Sequence, residues 1–243
     1  MPLPVAHSLM GYAIAEATNV RLSEKKWINV SIFAALANLP DVDYLPGFLL
    51  GRPNHFHHRW THSLGFALLI GLLGSLILWQ RRRKGVLQEI TDGKAGQFWP
   101  ACLAISAAVF SHCVLDLFTE DTSLPYGMLL FWPLAWGFYD VSWSLFPSTH
   151  KSNESATFFI SLLEWYNIKL VLREFLIMAP IAGLMKIIRQ LPGFFNRPHA
   201  VDVKNTQVAK LGLLEVSPLP SELANRRSLT GLAEAEEQDE TNE

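Results

Sequence analysis

The sequence predicts an all-α fold, a multi-pass transmembrane helical bundle followed by a disordered C-terminal tail. Half of the 243 residues are hydrophobic and only 17% are charged, against roughly 25% in soluble domains. The apolar residues are also gathered into runs: residues 63–79 and 98–111 contain no Asp, Glu, Lys or Arg. Runs of about 18 residues are candidates to cross a bilayer, whose core about 20 helical residues span.

In chain order, two short helices are expected at about 5–18 and 28–39, joined by "NVRLSEKKW". The turn-rich "LPDVDYLPGFLLGRPNHFHH" follows. A long apolar helix covers about 60–80 and stops at "QRRRKG", and the polar linker "VLQEITDGKAG" leads to a second at about 98–118. "TEDTSLP" precedes an aromatic segment at 126–146, which Pro133 should kink or break. After the loop "PSTHKSNES" a last helix runs from about 156 to 190. These elements make a membrane domain over 1–195. Residues 196–243, ending in "EAEEQDETNE", have too little apolar surface to order themselves.

Trp60 and Trp79 bracket the first long helix and Trp99 opens the second; amphipathic rings at such positions suit the headgroup level. "MPLPVAHSLMGYAIAEA" has neither a basic n-region nor a long apolar h-region, so a cleaved signal peptide is not expected. Cys102 and Cys113 share one apolar run and read as small packing residues rather than a disulfide. A net charge of −2 without a basic, aromatic-interleaved stripe gives no sign of nucleic-acid binding.

If the first four helices run up and down, as short connections favour, the polar residues sort by end. His7, Asp41, Asp43, His58, His62, His112 and Asp116 fall at one end; Arg21, Lys25, Lys26, Arg81, Arg82, Arg83 and Lys84 fall at the other. His58 and His62 are spaced i,i+4, as are His112 and Asp116, a spacing that puts two side chains on one helix face. "PDVD" sets Asp41 and Asp43 at alternate positions of an extended turn. Each piece has a bland reading: a polar terminus at His7, a hydrogen-bonded turn at Asp41 and Asp43, a helix-tying pair at His112 and Asp116. Together they read as a metal site. Imidazole with carboxylate suits a divalent ion, zinc first and manganese or iron as alternatives. Seven candidate ligands fit two ions, or one ion beside a protein base. His55 and His57 read as loop residues or outer partners, His150 and His199 have no companions, and Asp140 stands apart from the site.

The chemistry these residues suggest is metal-assisted hydrolysis, with Asp43 as proton acceptor and Arg59 holding an anionic group such as phosphate. A membrane-level site of this kind suits a phosphoester of a lipid or lipid-linked substrate. "HRWTH" lacks the glutamate of the HExxH proteases, which lowers a peptidase reading. The positive-inside rule puts the basic end in the cytoplasm and the site at the outer leaflet.

His7, "LPDVD" at 39–43, "HRWTHS" at 58–63 and "SHCVLD" at 111–116 together resemble the YdjM-like family of membrane-bound, metal-dependent hydrolases over residues 5–145. Trp60 stands where that family usually has a small residue. The resemblance implies a metal-assisted hydrolase in a bacterial or archaeal cytoplasmic membrane, and leaves the substrate open. The histidine–aspartate alternation is more loosely similar to zinc-dependent phospholipase C. Two rival classes are a non-catalytic scaffold or regulator tied together by a metal or polar cluster, and an ion transporter. Residues 64–78 offer no polar path for transport beyond a lone serine.

Overall fold

The computed structural model describes residues 2–18, 20–83, 98–122 and 126–191. Among these the chain is helical, with isolated bridges at Thr119–Phe146 and Met128–Tyr139 but no β-strand. The predicted tail and Lys84 lie outside the described residues.

Helix α1 (Pro4–Ala17) begins at a proline, whose missing N–H would be unpaired in the first turn anyway. Just ahead of it the Leu3 N–H donates to Glu174 Oε1 at 2.7 Å, so a distant carboxylate fixes where α1 starts. Helix α2 (Lys26–Ala37) packs closely on α1 at Gly11. A Cβ there would lie 2.5 Å from the Phe33 carbonyl oxygen and 2.8 Å from Ala34 Cα, an approach only glycine admits. A 3-10 turn (Leu39–Asp43), the short helix α3 (Tyr44–Leu49) and a second 3-10 turn (Pro53–Phe56) fill the segment predicted as turns.

Helices α4 (Leu64–Arg83) and α5 (Phe98–Leu117) are both long and apolar enough to cross a membrane. Leu68, Leu69, Leu72, Leu73, Leu76 and Ile77 form an exposed apolar stripe on α4. Its other face, Ala67, Gly71, Ser75 and Leu78, is buried and small, which lets two helix backbones approach. At Gly71 an added Cβ would lie 2.6 Å from the Cys102 carbonyl oxygen and overlap Ser106 Oγ. Helix α5 is the central element, with Ala104, Ile105 and Ala108 in one core with Phe33, Ala15 and Leu78. Cys102 and Cys113 are buried free thiols.

Four local expectations are corrected. Helix α4 starts at Leu64 rather than near 60, because Ser63 Oγ accepts the Phe66 N–H at 3.1 Å and acts as its cap. His58 and His62 are therefore not one helix face: they sit in the preceding turns, with His58 at φ +65°. Asp41 and Asp43 occupy a 3-10 turn rather than an extended one. The single helix expected over 156–190 is two, α6 (Phe158–Leu162) and α7 (Trp165–Gln190). The break falls at residues 163–164, and the fully buried Asn167 in the first turn of α7 braces it. Its Nδ2 donates to the His150 and Ser161 carbonyls at 2.7 and 2.9 Å, and its Oδ1 accepts the His150 N–H. The aromatic segment at 126–146 forms turns, closed by reciprocal Met128–Tyr139 backbone bonds of 3.0 and 2.9 Å.

Candidate metal centre

Three parts of the chain meet at the end of α5. His7 comes from the first turns of α1, Asp41 and Asp43 from the 3-10 turn after α2, and His58 and His62 from the turns before α4. His112 and Asp116 project from the last two turns of α5. Asp116 is the hub. Its Oδ1 lies 3.6 Å from His7 Nε2. Its Oδ2 lies 3.6, 3.4 and 3.3 Å from the Nε2 atoms of His58, His62 and His112. Asp41 Oδ1 adds approaches of 3.4 Å to His112 and 3.8 Å to His62. The His7 and His112 rings stack with centroids 3.8 Å apart. All seven residues grouped from the sequence converge.

Most of these separations are too long for good hydrogen bonds, yet the atoms are buried. His7 Nδ1 and Nε2, His57 Nε2, His58 Nε2, Asp41 Oδ1 and both Asp116 oxygens have no hydrogen-bond partner among the described residues. Polar atoms buried this way are costly unless something absent from the chain meets them. Ligand bonds of about 2.1 Å in tetrahedral geometry put donor atoms about 3.4 Å apart, the spacing found around Asp116. Among the described residues four overlapping sets bring their ligand atoms within 4.8 Å of one another, and two of them, His57–His58–His62–Asp116 and His7–His112–Asp116, share Asp116. The donor set fits a divalent metal, and the sharing of Asp116 fits two.

Outer partners fix the tautomers. His112 Nδ1 donates to the Ala37 carbonyl at 2.8 Å, and His62 Nδ1 faces Asp43 Oδ2 at 3.0 Å. Each ring thus turns Nε2 inward, and these two nitrogens lie 3.1 Å apart. Two lone pairs cannot face each other so closely unless a proton or a cation stands nearby. Asp43 is engaged on both oxygens: Oδ1 with His57 Nδ1 at 3.1 Å, Oδ2 with His62 and with the Thr61 hydroxyl at 2.9 Å. Burial holds the His57 imidazole well below its ordinary range, with His58 and Lys151 adding to the effect. Burial opposes ionisation of Asp41, but His112 outweighs it and holds the carboxyl low. Burial would likewise lower His62, but Asp43 and Asp116 keep it raised.

Sequence reasoning missed several neighbours. Tyr44 stacks on His57 at 4.3 Å and accepts a 2.8 Å hydrogen bond from Lys151 Nζ. Asp121 Oδ2 lies 3.6 Å from His58 Nδ1. Burial pulls the Lys151 ammonium below its ordinary 10.5, with Asp116, Asp41, Asp121 and Asp43 opposing. The second histidine of "HFHH" is His57, whose Nδ1 meets Asp43 Oδ1; nothing local signalled Lys151, 107 residues from Tyr44. Arg59 stands over the Phe56 ring at 5.9 Å and forms no ion pair with the cluster among the described residues. His55 packs on Phe56 and His150 on Tyr166; Asp140 is exposed, and His199 lies outside the described residues.

An open polar cleft of about 760 Å³ flanks the centre, lined in part by Arg52, Asn54, His55, Thr122 and Asn153. Thr122 follows Asp121 in the chain, while His55 and Asn153 stand two residues from His57 and Lys151.

No curated protein and no solved structure matches the chain. The sequence profile of the YdjM inner membrane protein family matches residues 1–191, spanning every helix described above and all seven converging residues, and the chain belongs to that family.

Proposed function

We propose that the chain is a multi-pass inner-membrane hydrolase that uses one or two divalent ions, zinc first among the candidates, against a phosphoester of a lipid or lipid-linked substrate. The observation that carries this reading is the ring of four buried imidazole nitrogens around Asp116, of which those of His7 and His58, like both Asp116 oxygens, have no hydrogen-bond partner among the described residues. His7, His112 and Asp116 would hold one ion; His58, His62, Asp116 and the second ring nitrogen of His57 would hold another. A divalent cation there supplies a water of lowered pKa, about 7 for zinc, and offsets charge gathering on the phosphoryl oxygens.

The chain's own residues do the rest. Asp43 was the base expected from sequence. With both oxygens engaged, it is assigned here to orienting His57 and His62, as outer-shell carboxylates do. Asp41, with a buried oxygen that no hydrogen bond claims, is the carboxylate left to take a proton from the nucleophilic water at Oδ1. The polar cleft supports a substrate whose reacting part is hydrophilic. The exposed apolar stripe of α4 supports a bilayer around it, as does the similar exposure of Leu172, Phe175, Leu176 and Leu184 on α7. Arg21, Lys25, Lys26 and Arg81–Arg83 at the opposite end support an orientation with the centre at the outer leaflet.

The test is elemental analysis of detergent-purified protein, with phosphate release from phosphatidic acid and from a soluble aryl phosphate measured alongside. The wild-type chain should hold metal and release phosphate, and the His62→Ala, Asp116→Ala double variant should do neither. Equal metal content and equal turnover in both would sink the reading. Metal held without turnover would favour the scaffold.

A further inference from the structure

We infer that Lys151 is the residue that receives the substrate's phosphoryl oxygens, held in position by the Tyr44 hydroxyl. The inference rests on the metal reading above and names a specificity-determining residue for it. Lys151 stands in the loop before α6, and its ammonium reaches Tyr44 Oη at 2.8 Å, with the nitrogen 5.4 Å from the Tyr44 ring centre. Tyr44 in turn stacks on His57, an imidazole of the centre. The contact therefore ties a cation to the cluster's own framework.

The surroundings decide what that cation is for. A lysine placed only to neutralise carboxylates would pair with one. Among the described residues Lys151 makes no ion pair within 4.0 Å, although four aspartates of the centre act on its charge. An ammonium has three N–H donors; Tyr44 takes one, and no other acceptor among the described residues takes the remaining two. A partly buried cation with open donors is costly until an anion meets it.

Charge balance agrees. Asp41, Asp43, Asp116 and Asp121 carry four negative charges, which two divalent ions would cancel with the imidazoles neutral. The Lys151 charge is then the surplus, and a site with a net positive charge beside its metals favours an anionic substrate over an ester without charge. Asn153 and Glu154, two and three residues on, line the polar cleft together with Arg52 from an earlier part of the chain. Arg59, the cation singled out by sequence, stands over the Phe56 ring at 5.9 Å.

The experiment uses full-length protein loaded with Mn²⁺ and measures both metal content and binding of two probes, inorganic phosphate and short-chain phosphatidic acid. The variants are Lys151→Met, Lys151→Arg and Tyr44→Phe. Lys151→Met should keep its metal and bind phosphate about 10- to 100-fold more weakly. Lys151→Arg should recover most of the loss, and Tyr44→Phe should fall between. A parallel loss for both probes marks recognition of the phosphoryl group itself. Loss with inorganic phosphate alone marks a soluble ester as the substrate class, and loss with the lipid alone marks a membrane one; each supports the assignment. Wild-type phosphate affinity in a metal-replete Lys151→Met protein would overturn it and leave the metal reading standing. Loss of metal together with phosphate in that variant would overturn it in favour of a structural lysine. A wild-type chain that holds no metal would overturn the metal reading and the inference with it.

Discussion

Replacing Asp116 by asparagine tests the centre with the least disturbance of shape. The side chain is fully buried and faces four imidazole nitrogens at 3.3–3.6 Å. The amide keeps the volume but loses the charge, and one of its two ligating atoms becomes a donor. Structural zinc sites with four ligands gain about 10–16 kcal/mol, so one ligand is worth about 3 kcal/mol. That is about a hundredfold in affinity, and more if Asp116 bridges two ions. Asp43→Asn, which alters only the support behind His57 and His62, should cost about 10- to 100-fold. The assay is metal retained per chain after dialysis against a graded series of chelators, with helical content checked by circular dichroism. The expected order is wild type above Asp43→Asn above Asp116→Asn. Folded Asp116→Asn with wild-type retention would refute the reasoning, because no other carboxylate among the described residues pairs with all four imidazoles.

Acid should weaken metal binding. His62 in the metal-free protein is held above its ordinary 6.5 by Asp43 and Asp116 against the effect of burial, and a bound ion must displace that proton. Affinity should therefore fall as pH is lowered through a window beginning above 6.5, measurable by metal titration at several pH values; an affinity flat between pH 8 and 6 would contradict this. Chelation should lower the unfolding temperature in detergent, by an amount equivalent to about 4 kcal/mol when metal is supplied at a thousand times its Kd. His58→Gly and His58→Ala should both lose metal affinity, yet the glycine variant should be the more stable metal-free protein by about 1 kcal/mol, because the backbone stands at φ +65°. Gly71→Leu should cost about 1–3 kcal/mol or more by driving α4 off Cys102 and Ser106. Gly183→Ala, where an added Cβ meets nothing within 4 Å, should be neutral or stabilising in the same unfolding assay.

The long-range features were legible because they depend on patterns the chain repeats. Helices α4 and α5 announced themselves by length without charge. The convergence of His7, Asp41, His62, His112 and Asp116 followed from counting helix reversals. What was not legible depends on single contacts. Ser63 starts α4 immediately after His62, so the i,i+4 spacing of His58 and His62 carried no helical meaning although both histidines reach the centre. The break at 163–164, braced by Asn167, falls in a segment whose hydropathy is nearly continuous, and no pattern in 156–190 encodes that. Asp43 and Asp41 differ in role because one meets Thr61, His57 and His62 while the other faces His112, a distinction that two aspartates in "PDVD" do not display. Lys151 was invisible for the same reason: its partner lies in a helix far away in the chain.

The two ends of the bundle solve one problem in opposite ways. At the basic end Glu16 is also buried, and it meets Lys26 Nζ and Arg189 Nη1, each at 3.1 Å. Those partners are permanently charged, so the carboxylate is balanced by the chain itself and ties α1, α2 and α7 together. At the other end the ion-pair partners of Asp41, Asp43 and Asp116 among the described residues are all histidines. Imidazoles near neutral pH cannot all be charged at such close range. Carboxylates whose imidazole partners are not all charged keep a negative surplus that a cation could balance. An arginine at His58 or His62 would balance them as Glu16 is balanced, and would close the site to an exchangeable cation. The choice of histidine at these positions, in a protein with arginine and lysine in plenty elsewhere, is what separates a structural ion pair from a cluster that could hold a metal ion.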